Sequence, residues 1–150
     1  MALSADRNTP RSLGEIRNGA MAASVKIFGG GIVMRNAAGY LTKGATATGS
    51  VGVGRAEEQV DNSAGSAGDA SINYRPGVFP FNNSESADEI TIAEIGDVCF
   101  IVDDETVAKT DGTNTRSIAG FVENVDAAGV WVRFDEVLAR IYAEGIANPA

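Results

Sequence analysis

The chain has 150 residues and carries 20 acidic against 12 basic side chains, a net charge of −8 at pH 7. That length predicts one domain with an arm or tail to spare, and the acidic balance argues against a surface that holds nucleic acid by neutralising phosphates. With 7% aromatics, 44% apolar residues and 18 glycines, the chain is expected to build a lean, turn-rich β-core.

There is no histidine, and Cys99 is the only cysteine. An internal disulfide framework is therefore excluded, and a nucleophilic Ser or Cys would need a base other than imidazole. Neither the apolar core of a signal peptide nor a run of about 20 apolar residues occurs, so no secretion leader and no membrane span are expected.

Residues 1–14 show neither helical nor strand periodicity and contain Pro10 and Gly14. The apolar points Leu3 and Leu13 are too sparse for a core element, so this stretch reads as an extended N-terminal arm, disordered alone or laid over a partner. Arg7, Arg11, Arg17 and Lys26 stand against only Asp6 and Glu15 in the first 26 residues. That end is expected to face something acidic.

Residues 15–134 read as a β-rich domain. Around residues 21–34, two strands or one interrupted strand flank three consecutive glycines, which would be costly inside a helix. Asn36 opens and Gly39 closes a turn, and Asp126 and Gly129 repeat that design later, which suggests a meander-like sheet. Residues 43–56 alternate small and β-branched types around Gly49, Gly52 and Gly54, the pattern of a strand packed closely against backbone. Residues 57–69 are polar and glycine-rich and read as a surface loop.

Residues 70–81 return to strand, with Ile72 and Tyr74 on one face. Pro76 and Pro80 confine the second piece to an edge, because each removes a ladder donor. Residues 89–96 read as a helix-like turn with Asp88 as its N-cap and Gly96 as its stop, while the alternation of Ile90 and Ile92 also permits a strand. A strand at residues 98–102 holds Cys99, expected to be a small buried hydrophobe. The hairpin at residues 118–134 carries Trp131, the only tryptophan. Beyond it, residues 135–150 form a short helical C-terminal tail in which Val137, Leu138, Ile141 and Tyr142 fall at helical spacing and Gly145 ends the helix. The fold class is mainly β: a small β-barrel or β-sandwich-like domain with an extended N-terminal arm and a short C-terminal helix.

No motif supplies catalytic chemistry, and no enzyme activity, cofactor or metal is expected. Asp103, Asp104 and Glu105 are consecutive, so in a strand they point alternately to opposite faces and read as a solvated turn. Asp61, Asn62, Ser63 and Asp69 lack the spacing and closing Glu of a calcium loop. The glycines at 49, 52 and 54 do not open a helix, as a dinucleotide fingerprint requires.

Several short segments in order carry a resemblance: residues 5–10 (ADRNTP), 53–62 (VGRAEEQVDN), 77–82 (GVFPFN), 88–91 (DEIT), 102–107 (VDDETV) and 129–132 (GVWV), with Ile95 and Gly96 between them. Together they look like the decoration, or capsid cement, proteins of Mu-like tailed bacteriophages. The resemblance runs from about Leu3 to Phe134; the helical tail looks like an extension beyond the family's usual ending.

What the resemblance implies is a structural protein of the virion, made in the host cytoplasm, that binds the outer capsid surface and stabilises the expanded shell. Its partners would be the major capsid protein and copies of itself, often as homotrimers, with no nucleic acid and no membrane. On that reading Leu3, Asp6, Arg7, Pro10, Arg11 and Leu13 form the capsid-binding arm, and Trp131, Leu138, Ile141 and Tyr142 are possible subunit contacts. The alternative is a carbohydrate-binding or adhesin-like β-module on a virion or cell surface, which exposed aromatics would support. A hydrolase using Asp103 or Asp104 is the third reading.

Overall fold

The computed structural model describes residues 2, 4–12 and 14–145. In chain order the elements are β1 (Arg17–Ala20), β2 (Val25–Ile27), β3 (Ile32–Arg35), β4 (Leu41–Lys43), β5 (Val51–Ala56), β6 (Val60–Asn62), β7 (Ser71–Arg75) and β8 (Val78–Phe81). Two 3-10 turns, Ser86–Asp88 and Ile92–Glu94, precede β9 (Val98–Ile101), β10 (Val107–Ala108), β11 (Ile118–Asp126), β12 (Gly129–Arg133) and helix α1 (Glu136–Ala143).

The chain is mainly β with a short C-terminal helix. Among the described residues the main sheet runs β1-β7-β5-β11-β12-β8, with β3 and β4 branching from β5 and β9 and β10 from β11; β2 and β6 form a separate ribbon. Of the two arrangements expected, the barrel is not formed, whereas a sandwich-like one is compatible. The ends of the path are β1 and β8. In β8, Pro80 lacks a ladder donor, so the strand sits where the sheet stops.

Among the described residues two larger apolar cores form beside a small one of Val51, Ile118 and Ala139, and β3 feeds both of the larger ones. Ile32 and Met34 join one with Ile101, Val107, Val122, Val130 and Val132, while Val33 joins the other with Leu41, Val53, Ile72 and Tyr74. Alternation along a strand sends neighbouring side chains to opposite faces. Short strands of Ile, Val and Ala can therefore serve two small cores where a barrel would enclose one.

The paired turns have the common construction that their sequences announce. Asn36 Oδ1 accepts the N–H groups of Ala38 and Tyr40, each at 3.0 Å, and Asp126 Oδ1 accepts that of Ala128 at 2.8 Å. Each turn closes on a glycine in positive φ, Gly39 at 95° and Gly129 at 125°, a region glycine enters without a Cβ clash.

Gly52 serves a different purpose. A Cβ built there would lie 2.2 Å from the carbonyl oxygen of Ala119, so β5 and β11 approach more closely than any side chain allows.

Two expectations are corrected. Residues 57–69 are not wholly loop: Val60–Asn62 pairs antiparallel with β2 as Val25↔Asn62, Lys26↔Asp61 and Ile27↔Val60. The buried Asn62 amide explains this, since its Nδ2 donates to the carbonyls of Ala22 at 2.8 Å and Ser66 at 3.1 Å. A polar residue that looked solvated instead ties the segment inward.

The cap near residue 90 is Thr91 and not Asp88, which lies inside the preceding turn. Thr91 and Glu94 form a reciprocal capping box, in which Glu94 Oε2 accepts the Thr91 N–H at 2.6 Å and its hydroxyl at 2.8 Å. Those two bonds, helped by Lys109 Nζ at 3.0 Å from Oε1, hold the Glu94 carboxyl down at about 2.

The folded value thus lies below the ordinary 4.5. The carboxylate's contribution is then complete above about 4.5, shrinks as pH falls, and is gone below about 2. In an NMR pH titration, the Thr91 amide proton is expected to move with a midpoint near 2; a midpoint near 4.5 would show that the box does not hold in solution.

Candidate functional site

Residues 4–12 contain no helix or strand and are exposed. Asp6, Arg7, Pro10 and Arg11 lie on this stretch, while Leu3 and Leu13 lie outside the described residues. Among the described residues, no hydrogen bond or ion pair engages the side chains of Asp6, Arg7 or Arg11. The stretch leads through Gly14 into β1, which among the described residues pairs with β7 alone. A charged segment therefore enters the fold at a sheet edge.

At the other terminus, Asp135 caps α1 by accepting the Leu138 N–H at 3.0 Å, and Gly145 follows the helix in positive φ, 65°. The helix is fixed by Ala139, which is fully buried against Val51 and Ile118, and by Glu136. The Glu136 Oε2 accepts from Arg35 Nε at 2.6 Å, and Arg35 Nη2 also donates to the Tyr74 hydroxyl at 3.1 Å. Burial works against the Arg35 charge, but Glu136 and Tyr74 outweigh it and hold the guanidinium pKa above its ordinary value. This clasp between β3 and the tail was not anticipated; the spacing of Arg35 and Glu136, 101 residues apart in sequence, offers no local signal.

The residues expected as subunit contacts occupy different settings. Leu138, Ile141 and Tyr142 are 45%, 41% and 51% exposed on α1. Trp131 is half-buried, and its indole N–H donates to Asp126 Oδ1 at 2.9 Å. That bond couples the tryptophan to the turn of its own hairpin and uses its only polar group.

In the acidic clusters Asp103, Asp61 and Asp69 each bond to a nearby residue. Asp103 Oδ1 accepts the Glu105 N–H at 2.9 Å. Asp61 is bonded by the N–H and hydroxyl of Ser63, which hold its pKa below the usual carboxylate range, and Asp69 accepts the Ser66 N–H at 2.8 Å. Cys99 is fully buried in the first core, and burial pushes its thiol up to about 12, so at neutral pH it is a hydrophobe and not a nucleophile.

Sequence reasoning also missed a groove of about 520 Å³ beside α1, lined by Val98, Phe100, Phe121 and Tyr142 together with Glu94, Asp97 and Lys109. Its signal lies in β9, where the outward Val98 and Phe100 are as apolar as the inward Cys99 and Ile101. Among the described residues, no cluster of three or more metal-ligating side chains converges and no helix is long and apolar enough to cross a membrane. Comparison with known protein families, with curated proteins and with solved structures finds no match to this chain.

Proposed function

We propose that the chain is a structural head-decoration protein, bound to the outer surface of a tailed-phage capsid through its N-terminal arm and stabilising the expanded shell. The observation that carries this reading is the exposed stretch of residues 4–12, with Arg7 and Arg11 unengaged among the described residues, running directly into edge strand β1. A segment that forms no core of its own is suited to lie along a neighbour and be ordered by it. There Arg7 and Arg11 pair with carboxylates of the major capsid protein through charge-assisted bonds.

The remainder of the molecule supports a scaffold role in place of chemistry. Asp61, Asp69 and Asp103 are spent on local backbone groups, and the thiol of Cys99 is sealed in the core. The net charge of −8 keeps a densely displayed outer protein soluble. The lectin-like alternative loses its main ligand platform because the Trp131 indole is half-buried and bonded to Asp126.

The test is deletion of residues 2–13. The truncated protein is expected to keep the circular dichroism and melting temperature of the full chain, since residues 4–12 contribute nothing to either core, while binding to expanded empty capsids falls to background in co-sedimentation. Undiminished binding by the folded truncation would remove the arm from the mechanism.

A further inference from the structure

A polar cavity of about 480 Å³ lies at the C-terminal end of α1, and two arginines line it. Arg116 comes from the loop before β11 and Arg140 from the helix, while Ser50 belongs to the loop before β5.

Arg116 is mostly buried and only half engaged. Its Nη1 donates to Asp88 Oδ2 at 3.2 Å and to the Thr110 carbonyl at 3.0 Å, and neither of those residues lines the cavity. Its Nε is buried without a hydrogen-bond partner, and among the described residues no acceptor meets Nη2 either. Nε and Nη2 form one edge of the guanidinium, two parallel donors spaced to take both oxygens of a carboxylate. A buried donor left unpaired is costly, and an acceptor arriving at this edge recovers that cost.

The loop that presents Arg116 is strained. Gly112, Thr113 and Asn114 follow one another with φ of 62°, 62° and 63°, a region that residues with a Cβ enter only at a cost. The Asp111 carbonyl holds the loop by accepting the N–H groups of Thr115 and Arg116, each at 3.0 Å. Asp111 Oδ1 accepts that of Thr113 at 3.1 Å. Asn114 thereby lines the same cavity as Arg116, and strain of this kind gathers at ligand clamps. Arg140 supplies a second charge with donors to spare, since its Nη2 lies 3.8 Å from Glu136 Oε2, beyond hydrogen-bond distance.

We propose that this cavity binds a small hydroxylated monocarboxylate, with its carboxylate on the Nε–Nη2 edge of Arg116 and its hydroxyls toward Asn114, Tyr142, Asp111 and Glu144. The two acidic residues in the wall decide the class of ligand. Carboxylates accept hydroxyl hydrogens but repel a second negative charge, so a hydroxylated acid fits where a phosphate dianion does not. The volume falls within the range of pockets that enclose one small molecule. The site uses neither the arm nor Trp131, and it holds or fails apart from capsid binding.

The experiment is a titration of the full chain with sodium glucuronate at constant ionic strength, read by the Nε–H signal of Arg116 in an arginine-selective proton–nitrogen spectrum. That signal is expected to shift and saturate with a Kd of about 1 mM. Acetate, which lacks the hydroxyls, glucose, which lacks the carboxylate, and inorganic phosphate are each expected to bind at least tenfold more weakly. Arg116→Lys keeps the charge but not the edge and should weaken glucuronate binding at least tenfold, read by the backbone amide of Asn114. An Arg116 signal that stays in place up to about 50 mM glucuronate overturns the proposal. So does glucose, acetate or phosphate that binds as tightly, or an Arg116→Lys protein of unchanged affinity. Should that variant not fold, Arg140→Gln, at an exposed position, decides in its place: a severalfold loss supports the site and unchanged affinity overturns it.

Discussion

Replacing Gly52 with alanine is expected to destabilise the fold by about 3 kcal/mol or more, at the upper end of what an overpacked interior position costs. The added Cβ would sit 2.2 Å from the Ala119 carbonyl oxygen and 2.9 Å from that residue's carbonyl carbon. Both are backbone atoms of β11, so no rotamer change relieves the clash; the two strands must separate. Gly49→Ala is the matched control. It lies three residues earlier, has φ 79° and meets nothing within 4 Å, so it should cost about 1–2 kcal/mol for the left-handed conformation alone. Urea midpoints compared at constant m-value read the difference, and equal shifts for the two variants would mean that β5 and β11 do not approach as described.

The second large effect is expected from the two cores. Ile101→Ala and Ile72→Ala each remove a fully buried aliphatic side chain, and each is expected to cost about 2–5 kcal/mol from lost burial plus the cavity left behind. Ile101 belongs to the core with Val107 and Val132, Ile72 to that with Val53 and Leu41. Because they share no cluster, the double variant should lose the sum to within about 0.5 kcal/mol. Typical domains hold about 5–15 kcal/mol in total, so the double variant is expected to be largely unfolded without ligand or partner. A double-mutant cycle from denaturant curves of the single variants and a stabilised background measures the coupling, and a strong coupling would mean that the cores act as one.

What was legible in the sequence follows from how local each signal is. The turns at Asn36 and Asp126 depend on a side chain reaching two residues along its own chain, and they were read correctly, as was the helix that begins at Asp135 and ends before Gly145. The edge position of β8 followed from Pro76 and Pro80. Asn62 was misread because its partners, Ala22 and Ser66, define it as structural only once the chain has folded back on itself. Thr91 displaced Asp88 as a cap because both are good cap residues and the choice rests on Glu94, three positions further on.

The arm residues show the reverse case. Sparse apolar content marks the stretch as an arm and not a core element, and its residues 4–12 are exposed. For α1, periodicity found the apolar stripe but not its direction. Which side of a helix faces the sheet depends on the competing claims of Ala139 and of Glu136 on Arg35, and those are settled by residues far away in sequence.

Strand β11 borders β5, β9 and β12, and its contact with β5 joins Ile118 to Val51 across most of the domain. During synthesis the first 117 residues therefore emerge with the central position of the sheet vacant, and β5 and β9 wait as neighbours without the strand between them. Contacts of such sequence separation are slow to form, and unpaired strand edges invite association with other chains in the interval. The nascent chain's exposure to misassembly thus ends when one nine-residue strand arrives, which makes the segment beginning at Ile118 the part that sets how safely the protein reaches its folded state.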